Sequence, residues 1–183
     1  MGTNNTKSHM ARKNIALFIG CFAAIASCYA GETWLSIGKA ASSEGGGTSL
    51  AVGYRGATNL ALQLGVVFNS EFGDKEVLDY PVPHSSYRSL GTKRTGNTLG
   101  MDALYFINTD SFIRPYLGLG MYYGERKEIA QSTATGWYYT QGDKSKVSIT
   151  GEAGLQAVTS GGFVFGAGYH SLRGPNISVG KTF

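Results

Sequence analysis

Near the end of the chain, His170 and Ser171 stand side by side in Tyr169-His170-Ser171-Leu172-Arg173-Gly174-Pro175-Asn176, the one place where residue types alone hint at nucleophilic catalysis. An imidazole activates a hydroxyl only within hydrogen-bond reach. Adjacent residues on a strand point to opposite faces, so the spacing favours a histidine inside or at the rim of a fold, and no catalytic residue is assigned. His84, in Pro81-Val82-Pro83-His84, has no cluster of further ligands around it in sequence, so no metal and no cofactor is expected. Arg55, Asp102, Arg114 and Glu152 are of another kind: single charges inside apolar or glycine-rich segments, two positive and two negative. Charges so placed require partners, and they read as a balanced internal network holding register, with a gate or a proton path as the alternative use.

The elements that carry these residues alternate with period two. Leu60, Leu62, Leu64, Val66 and Phe68 take one face of a strand, and Ala61, Gln63, Gly65, Val67 and Asn69 take the other. The division recurs where Leu99, Met101, Ala103, Tyr105 and Ile107 oppose Gly100, Asp102, Leu104 and Phe106. It returns where Ile113, Pro115, Leu117, Leu119, Met121 and Tyr123 oppose Arg114, Tyr116, Gly118, Gly120 and Tyr122, and again where Val147, Ile149, Ala153, Leu155 and Ala157 oppose Ser148, Thr150, Glu152, Gly154 and Gln156. Eight such segments are predicted, at 33–41, 47–56, 59–70, 97–108, 111–124, 145–158, 161–172 and 175–183. In the first, Trp34 and Leu35 do not declare which of them faces outward. Glycine, 27 of 183 residues, falls inside these segments as well as in turns.

The N-terminal 30 residues read differently. Arg12 and Lys13 precede the apolar run Ile15 to Ala26, and Ser27-Cys28-Tyr29-Ala30 follows, the layout of a secretory signal cleaved before Gly31. The run is too short for a spanning helix, which needs about 20 residues. Residues 1–9 are polar and precede a second possible start at Met10, so a tag or a misread start is one reading. Ile25-Ala26-Ser27-Cys28 also resembles a lipobox, which would leave Cys28 lipidated. The domain division is therefore 1–30, extension and signal peptide, and 31–183, the folded chain. The formal charge of +4 mostly belongs to the leader: of 16 basic residues Lys7, Arg12 and Lys13 depart, leaving 13 against 12 acidic. A near-neutral mature chain gives no electrostatic basis for nucleic-acid binding. Both cysteines, Cys21 and Cys28, also lie in the leader, which suits passage through an oxidising compartment.

Connections settle the architecture. Gly56-Ala57-Thr58, Asn108-Thr109-Asp110-Ser111 and Thr159-Ser160-Gly161-Gly162 are tight-turn sequences. They alternate with long loops at 71–96 and 125–144 and shorter ones near 42–46 and 172–175. Short turns at one end and longer loops at the other, with one oily face per strand, predict an eight-stranded antiparallel up-and-down transmembrane β-barrel with both ends in the periplasm. In hydrocarbon every backbone polar group must be paired internally, so such a sheet has to close. Eight strands enclose an interior that side chains fill, with no open aqueous channel. Tyr116 and Tyr122 are expected to fill it beside Gly118 and Gly120, and Tyr105 and Tyr123 to form interfacial girdles. Binding residues concentrate on loops held by rigid scaffolds. The candidate contacts are Tyr80, Arg88, Lys93 and Arg94 in the first long loop, where Tyr87 also lies, and Arg126, Lys127, Trp137, Tyr138 and Tyr139 in the second; the alternative is that Trp137, Tyr138 and Tyr139 belong partly to the interfacial girdle and the charges are solvated loop tips.

Arg114-Pro115-Tyr116-Leu117-Gly118-Leu119-Gly120 resembles the strand signature of the OmpA-like and opacity-type small outer-membrane barrels. The ending Ile177-Ser178-Val179-Gly180-Lys181-Thr182-Phe183 is similar to their C-terminal assembly signal, with Phe183 terminal and Lys181 in place of the usual apolar residue. The resemblance implies a Gram-negative outer membrane, insertion by the barrel-assembly machinery, and contact with outer-membrane lipids and lipopolysaccharide. It implies little about activity, which the loop residues instead suggest lies in contact with a host or other extracellular ligand or in envelope integrity. The segment around His170 faintly resembles the His/Ser region of outer-membrane lipid A deacylases, whose His-x-Ser spacing puts both side chains on one face, unlike the adjacent pair here. A soluble lipocalin-like barrel is the third reading; it requires the oily faces inside, and Gly31-Glu32-Thr33-Trp34 misses the Gly-x-Trp spacing of lipocalins.

Overall fold

The computed structural model describes residues 30–40, 47–68, 77–82 and 86–183, apart from the Thr95 side chain. The leader with its signal and lipobox readings, the short connection at 41–46 and His84 lie outside the described residues. The strands are β1 (Glu32–Lys39), β2 (Thr48–Arg55), β3 (Leu60–Phe68), β4 (Val77–Leu78), β5 (Tyr87–Phe106), β6 (Ile113–Ser132), β7 (Tyr138–Val158), β8 (Phe163–His170) and β9 (Gly174–Thr182). Eight of them, all but the two-residue β4, pair antiparallel around a ring β7-β6-β5-β3-β2-β1-β9-β8 that closes through β7 and β8. No helix among the described residues is long and apolar enough to cross a membrane, and the strands are the elements available to do so.

Polarity is inside out. Leu60, Leu117, Leu119, Ile149, Ile177 and Val179 are exposed, and Leu119 keeps 71% of its surface. Glu32, Gln63, Asp102, Glu152, His170 and Arg173 are buried. β1 takes the same rule: Trp34 turns inward and Leu35 outward. A lipocalin-like interior is thereby excluded. The inward glycines are places where a neighbour's side chain passes against bare backbone. A Cβ at Gly53 would collide with the Trp34 ring, and one at Gly65 or Gly100 with Tyr122. The expected neighbours were different: Tyr116 lies against Gly154 and Gly168, while Gly118 and Gly120 receive Leu104 and Asp102. The reason is that a lumen side chain reaches across the barrel or to the next strand, and parity along its own strand does not give its partner.

The strand lengths depart from expectation. β5, β6 and β7 are 20, 20 and 21 residues long, whereas a tilted span needs about 9–11. Their oily outer faces end at Leu99, Tyr123 and Val147, and the strands continue as a charged sheet beyond that level. Residues 87–96 of the first predicted long loop and most of the second, 125–144, are therefore strand. Backbone pairing continues beyond the oily outer band, where the buried side chains include Arg94, Ser132 and Thr140 as well as Ile129, Ala130 and Tyr139, so no oily alternation marks it in sequence. β4 lies parallel to the outer end of this extension, Val77 against Tyr138 and Leu78 against Tyr139. At the opposite end the connections are short, and the first and last strands meet there: the Phe183 N–H donates to the Gly31 carbonyl at 2.8 Å.

Candidate functional site

The lumen is layered. Nearest Gly31 and Phe183, β1 contributes Glu32, whose Oε2 accepts from Arg55 at 3.0 Å and from Arg114 at 2.8 Å. The two guanidiniums also donate to the carbonyls of Thr58 and Ser111, anchoring two tight turns. Arg55 lies over the Phe106 ring, and Phe106 packs between Trp34 and Tyr116, sealing this end with aromatic bulk. The Trp34 indole N–H then donates to Gln63 at 2.9 Å, and Gln63 donates to Glu152 at 2.7 Å, which carries the chain of contacts into the middle of the barrel.

The middle layer centres on Arg173. Its Nη2 donates to Glu152 at 2.7 Å and to Asp102 at 3.3 Å. Asp102 further accepts from Tyr122 at 2.6 Å and Thr150 at 3.3 Å, and pairs with His170 Nε2 at 3.0 Å. His170 Nδ1 accepts the backbone N–H groups of Leu172 and Arg173 at 3.0 and 2.9 Å. With both Nδ1 contacts coming from donors, the ring proton sits on Nε2 and points at Asp102. Asp102, Glu152 and His170 bring ligand atoms within 4.8 Å of one another, but the guanidinium of Arg173 already reaches both carboxylates.

Arg55, Asp102, Arg114 and Glu152 thus all face the lumen, yet they do not pair with each other. They divide between two clusters whose missing counter-charges are Glu32 and Arg173. Counting those, three carboxylates face three guanidiniums, which is why five buried charges and the half-buried Arg114 are tolerable in one interior. Glu32 was legible by parity once Trp34 is known to face inward. Arg173 was not, because it belongs to no strand. It lies in the turn between β8 and β9, with Gly174 at a φ of 71° turning the chain back. Ser171 is exposed in that turn, its hydroxyl accepting the Gly151 N–H at 3.1 Å, while His170 is fully buried.

The second candidate region is the raised sheet. Arg94, Arg126 and Lys144 are register partners across β5, β6 and β7, and so are Lys93, Lys127 and Asp143. Like charges directly opposite normally repel. Burial, followed by the charge of Arg126, holds the Arg94 guanidinium below its ordinary pKa. Lys127 bonds Asp79 at 2.7 Å and lies 3.6 Å from Asp143, and Lys144 lies 3.4 Å from Glu128. That hydrogen bond and charge hold the Asp79 carboxyl below the ordinary carboxylate range, and the same bond raises Lys127. Farther out, Arg88, Gln131 and Tyr138 form one register row. Tyr139 is buried edge-on against Tyr80 at 5.6 Å, and Trp137 stands exposed at the tip. Of the predicted loop contacts, Tyr80 and Trp137 lie outside strands; Arg88, Lys93, Arg94, Arg126, Lys127, Tyr138 and Tyr139 are strand residues. Tyr105, Tyr123 and Phe183 are exposed on the outer face or at its end, and Lys181 lies over the Phe183 ring.

The sequence matches no protein-family model and no curated protein. Among solved structures, the N-terminal β-barrel domain of Pseudomonas aeruginosa OprF is similar at 16% identity, with 85% of this chain and 98% of that chain covered and a TM-score of 0.51. Ail, the attachment invasion locus protein of Yersinia pestis, aligns at 18% identity over 84% of this chain and 97% of its own, with a TM-score of 0.43. Neisserial surface protein A aligns at 16% identity over 84% and 96%, also at 0.43. A closed antiparallel ring with oily side chains outward, together with the OprF domain match, gives the chain the fold of the small eight-stranded outer-membrane β-barrels.

Proposed function

We propose that this protein is an integral outer-membrane barrel that works through the sheet it raises above the lipid, in surface interaction or envelope integrity, and that it is not an enzyme. The observation that carries the reading is the change along β5, β6 and β7. Each strand leaves its oily band and continues for about another span's length as a rigid sheet bearing Lys93, Arg94, Arg126, Lys127 and Lys144. A scaffold of this kind holds polar contacts at a set distance from the bilayer, and exposed Trp137 and Tyr80 give it an aromatic tip. Lipopolysaccharide phosphates and an extracellular partner are the chemistries those residues suit. The non-enzymatic reading is supported by the separation of buried, doubly engaged His170 from exposed Ser171.

The test is a shortened hairpin. Lys127 and Asp143 are register partners, so replacing residues 127–143 with Asn-Gly closes β6 onto β7 by a favoured two-residue turn. The shortened barrel is expected in the outer membrane, still migrating anomalously until boiled, with adhesion or detergent resistance lost. Unchanged adhesion and resistance would reject the reading. Altered lipid A acylation that disappears in His170→Ala would instead establish the enzyme.

A further inference from the structure

We infer that the tip of the raised sheet is a docking cap for a second phospholipid bilayer, seating in the headgroup region of a membrane that lies opposite the one holding the barrel. The inference rests on the surface-interaction reading proposed above and names its partner. Trp137, Tyr80 and Tyr87 are exposed at this end, by 61%, 51% and 48%, and Tyr138 shares a register row there with Gln131 and Arg88. No acid, lysine or arginine stands between Glu128 and Asp143, or between Asp79 and Arg88. The outermost part of a charged sheet is therefore neutral and aromatic.

The turn that carries Trp137 needs no water for its amides. The Thr133 N–H donates to the Ser86 carbonyl at 3.2 Å, and those of Ala134 and Thr135 donate to Ser132 Oγ at 3.3 and 3.2 Å. The Gly136 N–H donates to the Ser132 carbonyl at 2.9 Å, and that of Trp137 to Thr135 Oγ1 at 3.4 Å. Every amide from Thr133 to Trp137 is thus satisfied within the protein. A turn in water has no need of this, whereas one entering a low-dielectric layer does, because an unpaired amide is costly there.

The order of groups along the sheet matches a bilayer surface. Trp and Tyr rings settle between hydrocarbon and phosphate. The Arg88 guanidinium belongs to the row behind Tyr87 and Ser132, at the depth of the phosphates, and Lys127 and Lys144 follow. The first carboxylates, Asp79, Glu128 and Asp143, come only at that deeper level, each within reach of Lys127 or Lys144. Size argues against a protein partner. Three long strands and β4, about 5 Å apart in a sheet about 10 Å thick, present an end on the order of 200 Å², well short of the roughly 800 Å² per partner in a stable complex. A fluid surface requires no matching cleft, and many barrels on one cell add their contacts.

The experiment places the folded full-length barrel in nanodiscs and mixes it with phosphatidylcholine vesicles whose acyl chains are brominated. Trp34 is sealed in the lumen and Trp137, the other tryptophan, is exposed, so contact quenching from the target vesicles reports on Trp137 alone. Wild type is expected to be quenched and to float with the vesicles, and Trp137→Phe to lose the quenching. Trp137→Ser with Tyr87→Ser is expected to reduce flotation roughly tenfold or more. Ser132→Ala, which unpairs two amides without removing a ring, is expected to reduce it severalfold. Variants are compared only when their gel mobility shifts on boiling as wild type does. Absent quenching, quenching that persists in Trp137→Phe, or undiminished flotation of either altered tip overturns the docking. Barrels that bind cells but ignore the vesicles would assign the tip to a protein or a glycan and overturn it equally. Adhesion kept by the double substitution but lost in the shortened hairpin rejects the docking alone; adhesion kept by both rejects the surface reading beneath it.

Discussion

At the residue level, this interior is governed by the rule that a buried charge is tolerable only with its partner in place. Glu32 serves two guanidiniums at once. Glu32→Gln leaves both without a counter-charge, and losing one partner of a buried pair typically costs about 3–5 kcal/mol. The expected result is an earlier urea midpoint for the gel-mobility shift of micelle-refolded protein; an unchanged midpoint would show that Arg55 and Arg114 are adequately solvated without it. Packing makes a separate demand. Gly53→Ala drives a methyl group into the Trp34 ring, an overpacking cost of about 1–3 kcal/mol. Gly142→Ala meets open space and is expected to change nothing. The same urea assay compares the two, and equal midpoints would refute the close approach.

At the level of elements, the strap formed by β4 is held to the raised sheet by Lys127 and Asp79. Asp79 is lowered by its bond to Lys127, so its contribution is present above the ordinary carboxylate value and disappears as pH falls through the depressed one. Lys127 is raised by the same bond, so its contribution is complete below the ordinary amine value and disappears as pH rises through the elevated one. The strap should accordingly loosen below roughly pH 3.9 and above roughly pH 10.4, modestly, since the pair is exposed. A nitroxide on Pro81→Cys reports this as increased mobility at both extremes; an unchanged spectrum across that range argues that backbone pairing with Tyr138 and Tyr139 holds the strap alone.

For the molecule as a whole, the deciding property is which side of the sheet is oily. Leu119 lies midway along the outer band of β6, between Ile113 and Tyr123. Leu119→Arg should cost about 2–4 kcal/mol in a bilayer, read as lowered unfolding stability in lipid vesicles. The same change in a water-soluble barrel would cost almost nothing, so a neutral result would overturn the membrane assignment. Removing Phe183 deletes a terminal contact with Gly31. Reduced yield in outer membranes with normal refolding in micelles is the outcome that marks it as an assembly signal, and an undiminished yield would deny it that role.

What the order of residues determined by itself was whatever depends on alternation. The period-two division at Leu60–Phe68 and Leu99–Ile107 gave the strands, their oily faces and the inward course of Arg55, Asp102, Arg114 and Glu152, because side chains on a strand must alternate. The tight turns and even strand number then called for closure. Tertiary structure decided the rest. The raised sheet has no oily alternation to announce it, since its buried side chains mix Arg94, Ser132 and Thr140 with Ile129, Ala130 and Tyr139. Arg173 reaches the two carboxylates from a turn, where parity has no meaning. The pairing of Glu32 with Arg55 and Arg114, and of Arg173 with Asp102 and Glu152, depends on which strands meet across the ring, a distance that exists only once the sheet has curved and closed.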